Sequence, residues 1–201
     1  MSRAPRVAVL VGNPKPGSRT LTAATRLARQ ILAGVGAADT EPYRIVDLAG
    51  LGATVLDRQD PGITDLVTDL GTADLVVVAS PTYKGAYTGL LKLFLDRFPG
   101  GTGLRGLAIP LMLGAGPGHA LAPELTLRPV LTELGATVPG RGLYVVDRQY
   151  DDPDIFDDWL AANLRLLTGV LVGSKQSTRQ STRLPDPLPD RQPGHEQGVR
   201  R

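Results

Sequence analysis

The chain of 201 residues contains no cysteine and only two histidines, His119 and His195. The first absence excludes a disulfide framework, a zinc–cysteine site, an iron–sulfur cluster and a thiol nucleophile. The second excludes a metal site built from several imidazoles. No apolar run approaches the ~20 residues that cross a bilayer. Neither sign of charge dominates: 22 Lys and Arg against 20 Asp and Glu leave +2, too little for a nucleic-acid footprint. The short run Val7 to Val11 is stopped by Gly12-Asn13-Pro14 and is too brief for a secretory hydrophobic region, so the expected location is cytoplasmic. What is present is ordinary. Hydrophobic residues make up 42% and charged residues 21%, the composition of a globular domain long enough to bury a sizeable core.

Composition breaks near Ser174. The stretch 174–201 is rich in Ser, Gln, Arg and Pro and is expected to stay disordered, because it has too little apolar surface to offset its ordering entropy. It holds six basic residues against three acidic ones, a surplus of three, so the rest of the chain carries −1. The expected division is a folded domain over 1–173 and a basic tail over 174–201, a solvated linker rather than an anionic-surface anchor. His195 lies in that tail and is expected to be inert.

The rest alternates between short β-branched apolar runs and helical periods. Strands are expected at 6–11, 43–48, 75–79, 107–113 and 142–146. Helices are expected at 20–34, from Pro61 to about Leu70 behind an Asp60 cap, and at 88–98, 120–134 and 153–171. Strands separated by helices pair in parallel through right-handed crossovers, and runs apolar on both faces belong in a buried sheet. The fold class is therefore α/β, an open doubly wound sheet of order 2-1-3-4-5 or of the Rossmann type. Pro110 removes a ladder donor, which implies a bulge or a later strand start.

Ligands of such sheets sit beyond the carboxyl ends of the strands. In the 2-1-3-4-5 order those ends belong to strands one, three and four. After strand one comes Gly12-Asn13-Pro14-Lys15-Pro16-Gly17-Ser18-Arg19-Thr20, opening a helix. A Gly- and Ser-rich turn at a helix start presents N–H groups and hydroxyls to an anion. The Walker A spacing fails because Ser18 stands where Lys is required, and G-x-G-x-x-G fails because position 14 is Pro. Ser18 and Thr20 with Lys15 or Arg19 suit a phosphate monoester; a bare turn capped by Ser18 is the alternative.

After strand three comes Ser80-Pro81-Thr82-Tyr83-Lys84-Gly85-Ala86-Tyr87-Thr88-Gly89, where Tyr83 offers a ring to stack on and the backbone offers N–H groups to a heterocycle. The alternative is an ordinary loop whose Tyr packs inward. After strand four comes Gly114-Ala115-Gly116-Pro117-Gly118-His119, weak evidence alone and on the wrong strand for a Rossmann fingerprint. His119 invites proton transfer, but a loop-fixing role is the commoner fate of such a residue.

Together, Ser80-Pro81-x-Tyr83-Lys84-Gly85 followed by Thr88-Gly89-Leu90-Leu91-Lys92 resembles the flavin loop of the NADPH-dependent FMN reductases. It is especially similar to those that supply reduced flavin to two-component monooxygenases, such as the alkanesulfonate type. The first loop resembles that family's Gly-Ser-Pro-Arg-x-x-Ser-x-Ser phosphate loop, with Asn13, Lys15 and Thr20 as replacements. The third loop, with Leu127-Arg128-Pro129-Val130-Leu131, resembles the family segment bordering the flavin ring. The resemblance spans about 6–171. It implies a flavodoxin-like sheet of order 2-1-3-4-5, FMN and NADPH as cofactors, and hydride transfer from NADPH to flavin without a catalytic side chain. It places the phosphate on Asn13, Lys15, Ser18, Arg19 and Thr20. The ring falls to Pro81, Thr82, Tyr83, Lys84, Gly85, Gly114, Ala115 and Gly116, with His119 beside them. Lys84 and Arg19 are the cations available to a 2′-phosphate. Leu125 stands where some members carry a helix-disrupting Tyr that accompanies exchangeable flavin.

At about 100° per residue, the apolar residues of 90–98 cover an arc of about 200°, where about 100° suffices to pack on a sheet. A homodimer or homotetramer is therefore expected, as the family resemblance also implies; partial cover by a neighbouring loop is the alternative. A flavin-dependent monooxygenase is the expected partner. Rival activities on the same fold are a quinone, azo or nitro reductase and a non-enzymatic flavodoxin-type carrier, although carriers tend to be strongly acidic.

Overall fold

The computed structural model describes residues 3–172, so the expected tail at 174–201 and His195 lie outside the described residues. Five parallel strands form one sheet: β1 (Val7–Val11), β2 (Arg44–Asp47), β3 (Leu75–Pro81), β4 (Leu107–Gly114) and β5 (Leu143–Val146). Their order is β2-β1-β3-β4-β5, the flavodoxin-like order. The chain direction of assembly reverses between β1 and β3, so the loops that leave those two strands open the crevice.

Alternation within the strands decides the layers. Val7, Val9 and Val11 of β1 and Leu75, Val77 and Ala79 of β3 pack under α1 (Arg19–Gly34) and α5 (Asp157–Leu171). Ala8, Leu10, Val76 and Val78 point the other way, toward α2 (Pro61–Gly71), α3 (Gly89–Leu95) and α4 (Arg128–Glu133). Both faces are therefore dry, as the two-sided apolar runs require. α1 buries Ala23, Ala24, Leu27, Ala28, Ile31 and Leu32, one stripe at helical spacing. α2 starts as expected, with Pro61 in its first turn and the Asp60 carboxylate accepting from the Ile63 N–H.

Pro110 sits within an unbroken β4, paired with Val78. No bulge is needed. The Ala108 N–H donates to Thr137, on the β5 side, and residue 110 presents its nitrogen to the same side. The β4–β5 ladder begins only at Leu111 and Leu143, so the missing donor falls just outside it.

The helix expected over 120–134 is broken into a short 3₁₀ turn (Pro117–His119), a π turn (Pro123–Leu127) and α4. Pro129 cannot donate to the Leu125 carbonyl, and its ring crowds that carbonyl, so a wider turn precedes it. Glu124 and Arg128 pair within this segment at 2.7 Å, and Arg128 also donates to the carbonyls of Val138 and Gly140. The disruption thus arises with Leu125, and not a Tyr, in the π turn, where it is exposed. Thr88 caps α3, which ends at Leu95 because the Arg97 and Phe98 N–H groups turn back to the Phe94 and Leu95 carbonyls, and α5 starts at Asp157 because an Asp152-centred turn precedes it. Among the described residues no helix is long and apolar enough to cross a membrane.

Candidate functional site

The α1 N-terminus forms the floor of the crevice. Ser18 is the N-cap, with Oγ accepting from the Leu21 N–H at 3.3 Å. Asn13 donates through Nδ2 to Thr20 Oγ1 at 3.0 Å and accepts through Oδ1 from the Lys15 N–H at 2.9 Å. Asn13, Ser18 and Thr20 are all buried. The two hydroxyls thus accept from the protein and keep their own hydrogens to donate. Among the described residues, no acceptor takes the N–H groups of Ser18, Arg19 or Thr20. This end carries both features of an anion cradle: unspent donors and the positive pole of a helix. Capping by Ser18 leaves these donors unspent, so the two roles posed by the sequence as alternatives are compatible.

Loop two is a tight hairpin. Tyr83 and Ala86 exchange both backbone hydrogen bonds, at 2.8 and 3.1 Å, around Lys84 and Gly85 at φ 53° and 82°. Two positive φ values in a two-residue turn define type I′, which explains the glycine and strains Lys84. The Thr82 N–H donates to Leu113 at 2.6 Å. Of the backbone donors expected to serve a heterocycle, the N–H groups of Thr82 and Tyr83 are spent within the protein. Those of Lys84, Gly85, Ala115 and Gly116 have no acceptor among the described residues. Tyr83 does not pack inward; it is 54% exposed. Thr82 Oγ1 is buried without a hydrogen-bond partner.

Cradle and hairpin meet in a cavity of about 380 Å³, within the range of small-ligand and cofactor sites. Asn13, Lys15, Ser18, Arg19, Thr20, Pro81, Thr82, Tyr83, Gly114 and Ala115 line it. Lys84, Gly85, Gly116 and His119 do not. His119 ends the short 3₁₀ turn in solvent, and a Cβ added at Gly85 would lie 3.6 Å from its Cδ2. Its position fits joining loops two and three.

Several contributors escaped the sequence reading. Asp147, just past β5, lines the cavity and pairs with Arg19. It lies at a strand's carboxyl end, the signal that should have drawn attention to strand five as well. Tyr144 donates to the Gly116 carbonyl at 2.7 Å, and a Cβ on Gly114 would fall 2.0 Å from its hydroxyl oxygen. Burial pushes the Tyr144 phenol above its usual range, opposed by the nearby Thr82 hydroxyl. Thr88 ties the first two loops together. Its hydroxyl donates to the Gly12 carbonyl and accepts from the Leu91 N–H, while its N–H donates to Ser80 Oγ at 3.0 Å. Gly12 is required there, since a Cβ would lie 2.3 Å from Leu91 Cβ.

The donor set fits FMN: hydroxyls, helix N–H groups and two cations for a phosphate, and an exposed ring beside unspent N–H groups for an isoalloxazine. Residues 5–151 match the family described as NADPH-dependent FMN reductase. The chain belongs to that family, oxidoreductases whose cofactors are FMN and NADPH. It is 35% identical over 169 residues to an FMN reductase (NADPH) of Pseudomonas aeruginosa, covering 80% of this chain and 86% of that one. It is 32% identical over 172 residues to the NADH-dependent FMN reductase SfnF of Pseudomonas fluorescens, covering 83% and 89%. Among solved structures, an apo NADH:FMN oxidoreductase (EMOB) superposes with a TM-score of 0.68 at 32% identity, covering 86% of this chain and 92% of that one.

Proposed function

We propose that this protein uses NADPH to reduce FMN and delivers the reduced flavin to a separate flavin-dependent monooxygenase in the cytoplasm. The observation that carries the reading is the cavity at the β1–β3 switch point, where free α1 N–H groups face an exposed Tyr83 across one small volume. When bound, FMN supplies a ring nitrogen, N5, that accepts the nicotinamide hydride. Asn13, Ser18, Arg19, Thr20 and Lys15 hold the phosphate. Pro81, Thr82, Tyr83, Gly114 and Ala115 shape the ring site, with Lys84, Gly85 and Gly116 supplying N–H donors at its edge and His119 bracing the two loops. The chain's contribution is orientation and hydrogen bonding.

Relatives divide between NADPH and NADH in their names. Lys84 favours the NADPH reading, because it is exposed on the hairpin and no acidic partner holds it among the described residues. Assembly as a homodimer or homotetramer belongs to the same proposal. Leu91, Phe94, Leu95 and Phe98 are consumed by the core, and Arg97 is held by the carbonyls of Asp57 and Arg58. Leu93, Leu121 and Leu125 remain exposed for a second copy.

The test is NADPH oxidation by purified protein with and without added FMN. Saturable stimulation by FMN is expected; no binding of FMN under any condition would overturn the reading. Replacing Ser18→Ala together with Thr20→Val is expected to weaken FMN binding about tenfold while leaving riboflavin, which has no phosphate, unchanged. Equal FMN affinity in this variant would move the phosphate elsewhere.

A further inference from the structure

The phosphate cradle holds more negative charge than an anion site should. Its two cations are Lys15 and Arg19, and two carboxylates flank them. Asp47, at the end of β2, accepts from the Gly17 N–H at 3.1 Å and from the Ala49 N–H at 3.3 Å, which fixes the loop. Asp147, just past β5, has no such backbone role among its recorded bonds: its carboxylate takes the Arg19 guanidinium. Arg19 also lies over the Tyr150 ring, 5.5 Å from its centroid. Both contacts come from the segment after β5 and draw the guanidinium toward it. Asp147 nevertheless lines the same cavity as Ser18 and Thr20. The four charged side chains sum to zero, so the phosphate must rely mainly on N–H and O–H donors, with no net positive charge around them to add long-range attraction.

We propose that Asp147 sets flavin exchange: it competes with the phosphate for the Arg19 guanidinium and opposes the phosphate's charge, so that FMN is held weakly and leaves after reduction. The proposal rests on the reading of the α1 loop as the FMN phosphate site. It makes FMN a substrate of this chain rather than a resident group, through a residue that lies just past β5 and outside the three crevice loops.

The experiment measures FMN and riboflavin affinity by flavin fluorescence, and FMN release by stopped flow, in the wild type, Asp147→Asn and Asp147→Glu. Asp147→Asn is expected to tighten FMN about three- to tenfold at low salt, to slow release by a similar factor, and to leave riboflavin unchanged. The gain shrinks at high salt, Asp147→Glu behaves as wild type, and adding Arg19→Gln to Asp147→Asn removes the gain. Unchanged or weaker FMN binding in Asp147→Asn overturns the proposal, as does a gain that survives loss of Arg19 or appears equally with riboflavin. The Ser18→Ala, Thr20→Val double variant separates the two levels. If it leaves FMN affinity intact, the site reading fails. If it weakens FMN while Asp147→Asn brings no gain, only the exchange proposal fails.

Discussion

The two ends of the crevice are built on opposite plans. At the α1 end, Asn13, Ser18 and Thr20 are buried, with Asn13 bonded to Thr20 and Ser18 capping the helix, yet three consecutive N–H groups have no acceptor among the described residues. At the hairpin end, the backbone closes on itself and an exposed tyrosine ring lines the cavity. A rigid donor array suits a small, highly charged phosphate, whose recognition depends on donor placement. A flat ring surface suits two planar heterocycles that must stack, exchange a hydride and part.

The sharpest way to break this contrast is at the joint between the ends. Gly12→Val drives a side chain into Leu91, where a Cβ alone would lie 2.3 Å from Leu91 Cβ. It is expected to cost about 3 kcal/mol or more, a fall in melting temperature of roughly 10 °C, with loss of FMN binding. Thr88→Val leaves the Gly12 carbonyl and the Leu91 N–H without their buried partner. It should cost about 2 kcal/mol in denaturant unfolding and weaken FMN and riboflavin together, since both loops shift.

Smaller changes separate the ends. Tyr83→Ala removes the ring surface and should weaken FMN and riboflavin alike by about fivefold, unlike the phosphate-loop variants, which discriminate between them. Melting temperature should hardly move, because the ring is more than half exposed at 54%. The smallest effect is expected for Lys84→Gln. Steady-state kinetics should show KM for NADPH rising about threefold with KM for NADH unchanged. Equal effects on both nucleotides would assign Lys84 to the hairpin's shape instead of to the 2′-phosphate.

Much of this was legible because it is local. The Asp60-Pro61 start of α2, the stripe of α1 and the two-sided strands each follow from neighbours in the chain. Where the structure departs from expectation, either a neighbouring strand or a proline within the segment decides. Pro110 looked disruptive until the ladder with β5 was seen to begin one residue later. The segment 120–134 carries a helical period, but a π turn ahead of Pro129 and the Arg128 bonds to Val138 and Gly140 break it. In the apolar arc of 90–98, Leu91, Phe94, Leu95 and Phe98 are buried inside the domain and Leu93 is exposed, a division that the helical period does not reveal.

By itself the sequence determined the strand and helix order, the loops that face the crevice, and the residue types that can receive a phosphate and a ring. These depend on period, capping and turn chemistry, which act over a few residues. Only the tertiary structure decided which donors remain free, that Thr88 locks loop one to loop two, and that Asp147 enters the cradle from beyond β5. Arg19 and Asp147 stand 128 residues apart. No local rule pairs them; the packing of β5 at the edge of the sheet does.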